Sequence, residues 1–261
     1  MERSEIQEML GVIGDVHGCV RTLDSLLDKL FSRYDIHRLI FLGDLVDRGP
    51  CSREVCSLIM ELDSQFGVTC VKGNHEDVML DYLRFSMKYH PAQFLKMGGK
   101  ETVSSFSAGR LDKELALGKD VALASRKYFE PFMDFFDSFV IYDAMEYGDR
   151  KYHFSHAGID DGNESFFDYT LFPEMRFYWT RNTEMRKTPY FGYALVHGHT
   201  PVVKVDVQAN PNKPYLNYNK KKELCSVNLD TGCVYGYYLS AMVIDDGGGF
   251  EFQSSKFREK S

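Results

Sequence analysis

This chain lacks the features that would place it in several large classes of protein. No apolar run approaches the ~20 residues a helix needs to cross a bilayer, so no membrane partner is expected. Six cysteines are present, Cys19, Cys51, Cys56, Cys70, Cys225 and Cys233, but no two form a Cys-x-x-Cys pair, so a thiolate zinc site is not suggested. Residues Met1 to Glu5 carry no apolar stretch of the signal-peptide kind. The expectation is a reducing, cytoplasmic setting with free thiols. There is no internal repeat, no low-complexity tract and no clear linker. The aromatic-basic interleaving of a single-strand groove is missing as well. The formal net charge of -7 weighs against broad nucleic-acid binding. Oligomeric state is left open.

The chain does have core material and a regular rhythm. Its 261 residues are 44% hydrophobic, enough to bury a sizeable core, and one domain spanning 1–261 is expected. Met9 to Ile13, Leu39 to Leu42 and Val68 to Val71 are short apolar runs. Between them, Leu23, Leu26, Leu27 and Leu30 fall on one helical face, and so do Val55, Leu58, Ile59 and Leu62. Buried runs alternating with amphipathic helices indicate β-α-β units with parallel strands. Right-handed crossovers then bring the loops that follow the strands to one sheet edge.

Residues 85–137 read as mostly helical. Phe132, Phe135, Phe136 and Phe139 have helical spacing that suits core packing, and Gly98-Gly99 reads as a turn or helix end. The remainder is strand-rich, at Val140 to Tyr142, Tyr152 to Ser155, Tyr193 to Val196, Ser226 to Leu229 and Tyr237 to Ile244. Gln208 to Glu223, rich in Asn, Pro and Lys, reads as a loop, with Lys220-Lys221-Lys222 at its solvated edge.

Five glycine-flanked motifs punctuate this pattern. They are Gly14-Asp15-Val16-His17-Gly18, Gly43-Asp44-Leu45-Val46-Asp47-Arg48-Gly49, Gly73-Asn74-His75-Glu76, Ser155-His156-Ala157-Gly158 and His197-Gly198-His199-Thr200. Each has a bland role when taken alone. Asp44 could cap a turn, and Asn74 could N-cap a helix with Asp77 completing a capping box. His156 and His199 could be structural histidines. Taken together, and most of them placed after strand-like runs, they gather oxygen and imidazole donors at one rim. Two metal ions ~3.5–4 Å apart, which activate water and clamp phosphoryl oxygens, require such a donor set.

The three leading motifs resemble the signature of the phosphoprotein phosphatase family of metallophosphoesterases. Met97-Gly98-Gly99-Lys100, Trp179-Thr180-Arg181, His199-Thr200-Pro201 and Asp230-Thr231-Gly232-Cys233 resemble its bacterial and bacteriophage serine/threonine phosphatase branch. The resemblance implies a calcineurin-like α/β sandwich of two mixed sheets flanked by helices. It implies that Asp15, His17 and Asp44 hold one divalent ion, and that Asp44 is shared with a second ion completed by Asn74, His156 and His199. Manganese is the first expectation, with iron and zinc also suited to oxygen and imidazole donors. His75 resembles a general acid held by Asp47, an arrangement that orients an imidazole for proton transfer. Arg48 and Arg181 would grip the phosphate, alongside Asn74.

Two substrate classes follow from the resemblance, a phosphorylated protein or a small phosphorylated molecule. The first is the business of a serine/threonine phosphatase, with phosphotyrosine also open. The second belongs to the related symmetrical diadenosine tetraphosphate hydrolases, which typically lack the acid at the Asp47 position and read Asn-His-Asp in the third motif. Asp47 and Glu76 therefore favour esters. An inactive module that only holds phosphorylated partners is the reading from another class. The segment Thr231 to Gly236 departs from the Ser-Ala-x-Asn-Tyr of the eukaryotic-type enzymes, so their regulatory subunits are not implied. Tyr235 or Tyr238 could approach substrate, but packing is expected for both. His197, His153 and Cys19 are expected to be structural.

Overall fold

The computed structural model describes residues 9–159, 173–181, 183 and 186–259. Its first half follows the strand-helix rhythm of the sequence. Strands β1 (Met9–Ile13), β2 (Ile36–Phe41) and β3 (Gly67–Cys70) alternate with helices α1 (Val20–Arg33) and α2 (Ser52–Asp63). The expected apolar stripes face inward: Leu23, Leu26, Leu27 and Leu30 on α1, and Val55, Ile59 and Leu62 on α2, are buried. Leu58 packs partly buried against the same core. Then come α3 (Asn74–Arg84), α4 (Pro91–Phe94) and α5 (Lys100–Ser107), with a π-turn Leu95–Gly99 between the last two.

Three shorter helices, Asp112–Ala116, Ala122–Phe129 and Met133–Asp137, lead into the second half. There the strands are β4 (Tyr142–Tyr147), β5 (Arg150–Ser155), β6 (Tyr193–His197), β7 (Tyr215–Tyr218), β8 (Leu224–Asn228), β9 (Tyr238–Ile244) and β10 (Phe250–Lys256). They complete two mixed five-stranded sheets, ordered β10-β9-β1-β2-β3 and β4-β5-β6-β8-β7. In the first, β1, β2 and β3 are parallel and β9 runs antiparallel to β1. In the second, β5, β6 and β8 are parallel, with β4 and β7 as antiparallel edges.

Side-chain alternation along each strand divides the core in two. Leu10, Val12, Ile40 and Leu42 point between the sheets, onto Tyr152, Phe154, Val196 and Val227. Ile13, Leu39 and Phe41 point the other way, into the layer formed by α1, α2 and the helices of the middle segment. The fold is thus the expected α/β sandwich with flanking helices, and Phe132, Phe136 and Phe139 are buried in its helical layer.

Three expectations need correction. Tyr215–Tyr218 is a strand inside the segment read as loop. It is a four-residue edge strand hydrogen-bonded to β8, and the Asn, Pro and Lys around its Tyr-Leu-Asn-Tyr hide so short a run in the sequence. The last strand, β10, does not appear in the sequence reading, because its Gln253, Ser254 and Ser255 break any apolar run. Val140 makes only an isolated bridge to Val71, and the strand expected there starts at Tyr142.

Candidate metal centre

Six loops that leave parallel strands meet at the carboxyl edge of the sandwich. Asp15 follows β1, Asp44 follows β2 and Asn74 follows β3; His156 follows β5, His199 follows β6 and Asp230 follows β8. All six side chains are buried. Parallel pairing accounts for the common edge within each sheet, because loops after parallel strands leave from the same, carboxyl end.

Four donor atoms form the tightest group. Asn74 Oδ1 lies 3.0 Å from His156 Nε2 and 2.9 Å from His199 Nδ1. His156 Nε2 lies 3.2 Å from His199 Nδ1 and 3.3 Å from Asp44 Oδ1. His156 Nδ1 faces the Leu42 carbonyl at 2.8 Å. With a proton committed there, Nε2 of the neutral ring is a lone pair, set among the oxygens of Asn74 and Asp44. Acceptors crowded in this way require a positive charge between them. Burial depresses the His156 pKa, but the Asp44 and Asp15 carboxylates push it up to about 9, so without an ion a proton on Nε2 supplies that charge, and a bound cation would take the proton's place. Donor atoms ~2.1 Å from a shared ion are themselves roughly 3.0–3.4 Å apart, which matches these spacings. The residues fit a divalent cation with mixed oxygen and nitrogen donors.

A second group, His17, Asp44 and His75, adjoins the first through Asp44. His17 Nε2 lies 3.4 Å from Asp44 Oδ2, and its Nδ1 is held by the Val46 carbonyl at 2.7 Å. Burial, and then the Arg48 charge, hold His17 well below the usual histidine range, so its ring is neutral and able to ligate. Asp15 reaches the same rim from the other side, where it accepts the His199 backbone N–H at 3.0 and 3.2 Å. A Cβ on Gly198 would come within 1.9 Å of Asp15 Oδ1, so a larger residue there would push the Asp15 carboxylate out of its place. Burial and the neighbouring Asp230 carboxylate push the Asp15 pKa well up.

His75 and Asp47 form a buried pair, with Nδ1 2.7 Å from Oδ2. Asp47 is in turn held by Thr102, whose hydroxyl donates to Oδ1 at 2.6 Å and accepts the Asp47 N–H at 2.8 Å. The Arg48 guanidinium spans the two imidazoles, donating to His17 Nε2 at 2.5 Å and His75 Nε2 at 2.7 Å. Its backbone N–H bonds the Gly98 carbonyl at 3.2 Å. Gly98 has φ 113 and approaches Arg48 so closely that a Cβ would lie 2.5 Å from its nitrogen. Gly98 is therefore more than the turn expected from sequence, because it seats the Arg48 loop. Arg181 sits exposed at the rim, 3.5 Å from the Thr200 hydroxyl.

The backbone here is strained. His17, Asp44, Asp47, Arg48 and His199 all have positive φ, between 45 and 73. Such residues cost on the order of 1–3 kcal/mol each and persist only where surrounding contacts enforce them. Glu76 is one of those contacts. Its Oε2 accepts the N–H groups of Asp44 and Gly73 at 2.9 and 3.0 Å, and Oε1 accepts those of Leu45 and Val46 at 2.7 and 3.3 Å. These bonds correct the capping expectation. Gly73, not Asn74, is the N-cap of α3, and Glu76, not Asp77, reaches back to it. Asn74 is thereby turned into the site.

Sequence reasoning did not assign Thr102, Lys204 or Asp230 to this region, and it used Glu76 only to compare families. Asp230 carried a usable signal, since it follows a strand as Asp15 and Asp44 do. Thr102 carried none. His197 bonds back to the Gly198 carbonyl at 3.2 Å, and His153 packs between aromatic rings, as expected of structural residues. The Cys19 thiol is buried. Tyr238 begins β9, whereas Tyr235 is exposed beside Arg48, so packing does not describe Tyr235.

The model of the family described as Calcineurin-like phosphoesterase matches residues 9–236. The chain is similar to a protein of Bacillus velezensis named bis(5'-nucleosyl)-tetraphosphatase, asymmetrical, with 28% identity over 95% of this chain and 96% of that one. A protein of the same name from Bacillus subtilis is 29% identical over 88% of each. Among solved structures, a serine/threonine phosphatase of Saccharomyces cerevisiae shares the fold, with a TM-score of 0.58 at 15% identity, covering 99% of this chain and 83% of that one.

Proposed function

The chain belongs to the calcineurin-like phosphoesterase family, and on that footing we propose that it hydrolyses small nucleoside polyphosphates, dinucleoside tetraphosphates first among them. The observation that carries the phosphoesterase reading is the cluster of Asn74, His156 and His199 donors, 2.9 to 3.2 Å apart, with Asp44 Oδ1 3.3 Å from His156 Nε2, beside the buried His75–Asp47 pair. The substrate class is supported by relatives that match over nearly their whole length and carry the asymmetrical tetraphosphatase name. Asp47 and Glu76 depart from the symmetrical hydrolase pattern and do not conflict with that name.

In this reading Asp15, His17 and Asp44 would hold one divalent ion, and Asp44, Asn74, His156 and His199 would hold a second. When bound, such ions neutralise phosphoryl charge and supply a water of lowered pKa. Manganese, iron and zinc all suit the donors. Arg48 and Arg181 orient the phosphoryl group, and the Arg48 fork can present two N–H donors to its oxygens. Asp47 fixes His75 through Nδ1, so Nε2, which faces the Arg48 guanidinium in this structure, would be the atom to carry a proton to the departing oxygen once Arg48 turns to the phosphoryl group. That proton matters most for an alkoxide, a poor leaving group, and less for a nucleotide phosphate.

The intact His75–Asp47–Thr102 chain therefore favours a second reading, a serine/threonine protein phosphatase. Rates on diadenosine tetraphosphate, a phosphoserine peptide and a phosphotyrosine peptide, measured side by side with manganese, decide between them. A preference of about a hundredfold for the dinucleotide is expected, with a nucleoside monophosphate and triphosphate as products. The opposite preference would replace the first reading by the second.

A further inference from the structure

Tyr235 occupies a position on the rim that phosphoryl chemistry leaves unused. It ends the single turn Cys233–Tyr235, bracketed by left-handed Gly232 and Gly236 at φ 73 and 88. Cys233 points into the core, while Tyr235 is 47% exposed. Two cations lie over its ring. The Arg48 guanidinium carbon is 5.7 Å from the ring centroid, and Lys204 Nζ is 5.1 Å away.

Both Tyr235 and Lys204 are rooted in the loops of the site. Tyr235 stands five residues after Asp230, and Lys204 five after His199. The Val202 N–H donates to the Asp230 carbonyl at 2.8 Å and ties the two loops together. Val202 is buried and Lys204 is exposed. A line of groups thus runs outward from the phosphoryl position: guanidinium, aromatic ring, ammonium. Tyr235 nevertheless stays 47% exposed, and that open area can receive a planar group.

We infer that Tyr235 and Lys204 form the leaving-group subsite, with Tyr235 stacking a nucleobase and Lys204 taking the phosphates between that base and the bond cleaved. The inference rests on the nucleoside-polyphosphate reading of the site. A serine leaving group offers neither a planar face nor further negative charge, so this pair separates the two substrate classes. Aromatic side chains stack bases without regard to sequence, and loss of one ring typically weakens binding by about tenfold or more. An exposed ammonium acts through charge, and its effect is screened by salt.

The test uses the full chain, with Tyr235→Ala, Tyr235→Phe and Lys204→Ala. With manganese, kcat/KM is measured on diadenosine tetraphosphate and on acetyl phosphate, which has no base and no second phosphate. Tyr235→Ala should lower the ratio of the two about tenfold, mainly through KM, and Tyr235→Phe should restore it. Lys204→Ala should lower the ratio at low salt and less at high salt. Equal losses on both substrates would mean that Tyr235 only supports Arg48, and an unchanged ratio would mean that it does nothing; either overturns the inference. Calorimetric binding of diadenosine tetraphosphate to metal-free protein is the second readout. Binding without cleavage, lost in Tyr235→Ala, upholds the subsite and rejects the hydrolase reading. Cleavage with an unaltered ratio does the reverse, and absence of both binding and cleavage rejects both.

Discussion

Glu76 holds Asp44 in place. Its Oε2 accepts the Asp44 backbone N–H at 2.9 Å, while its other oxygen takes the next two N–H groups of the same loop. Asp44 is thereby kept at φ 51, with its carboxylate facing both histidine groups.

Glu76→Gln replaces one of these acceptor oxygens by an N–H₂ that faces N–H groups. Hydrogen bonds to a charged acceptor are each worth about 1.5–3 kcal/mol. The variant should therefore melt roughly 3–12 °C lower and bind manganese more weakly. Unchanged melting together with unchanged manganese affinity would show that Asp44 holds its conformation without Glu76.

The His75–Asp47 pair, 2.7 Å apart, predicts a dependence on the leaving group. His75→Asn should lower turnover by about 10²–10⁴-fold on alkyl phosphates and far less on phosphates with acidic leaving groups. Thr102→Val, which removes both bonds to Asp47, should give a milder loss on the same substrates and displace the pH–rate profile. Equal losses across leaving groups would take the acid role away from His75.

Removal of metal should abolish activity and also loosen the fold. The Asn74, His156 and His199 donors lie 2.9 to 3.2 Å from one another, and Asp44 lies 3.3 Å from His156, so chelator-treated protein should melt lower and regain both stability and turnover with manganese. At a hundredfold excess of free ion over its Kd the stabilisation is about 2.7 kcal/mol. Activity that survives exhaustive chelation would refute the centre. Stabilisation by metal without turnover on any phosphate would point to the inactive binding module.

Stability should fall on acidification, in part because of His153. This ring stacks on Tyr142 at 4.9 Å, and its Nδ1 has no hydrogen-bond partner among the described residues. Burial pulls its pKa down to about 4, against ~6.5 in an unfolded chain. Between those values the unfolded chain binds a proton that the folded protein does not. The contribution is full above pH ~6.5 and is lost as pH falls through about 4. His153→Phe should lose less stability across this interval by about 2–3 kcal/mol in denaturant titrations. Parallel acid limbs for parent and variant would contradict it.

The site was legible where chemistry and local pattern coincided. Asp15, His17, Asp44, Asn74, His156 and His199 each sit on a glycine-flanked turn, most after an apolar run; their loops leave one edge of the sandwich, where the close groups are His17 with Asp44 and His75, and Asp44 with His156 and His199. Thr102 was not legible. It lies in a helix whose spacing reports only burial, and its bond to Asp47 spans 55 residues. The capping of α3 was misread for a related reason. Asn74 and Asp77 satisfy the local rule, and only the distant Asp44 loop explains why Glu76 takes that place.

By itself the sequence determined the alternation of strands and helices, the parallel first half and the kinds of donor available, because hydrophobic period and residue type are local properties. Tertiary structure alone decided that Glu76 seats the Asp44 loop, that Thr102 braces Asp47 and that Tyr235 faces outward between Arg48 and Lys204. The physical reason is that a hydrogen bond or a cation over a ring depends on positions within a few ångströms, whereas periodicity places a side chain only on a face.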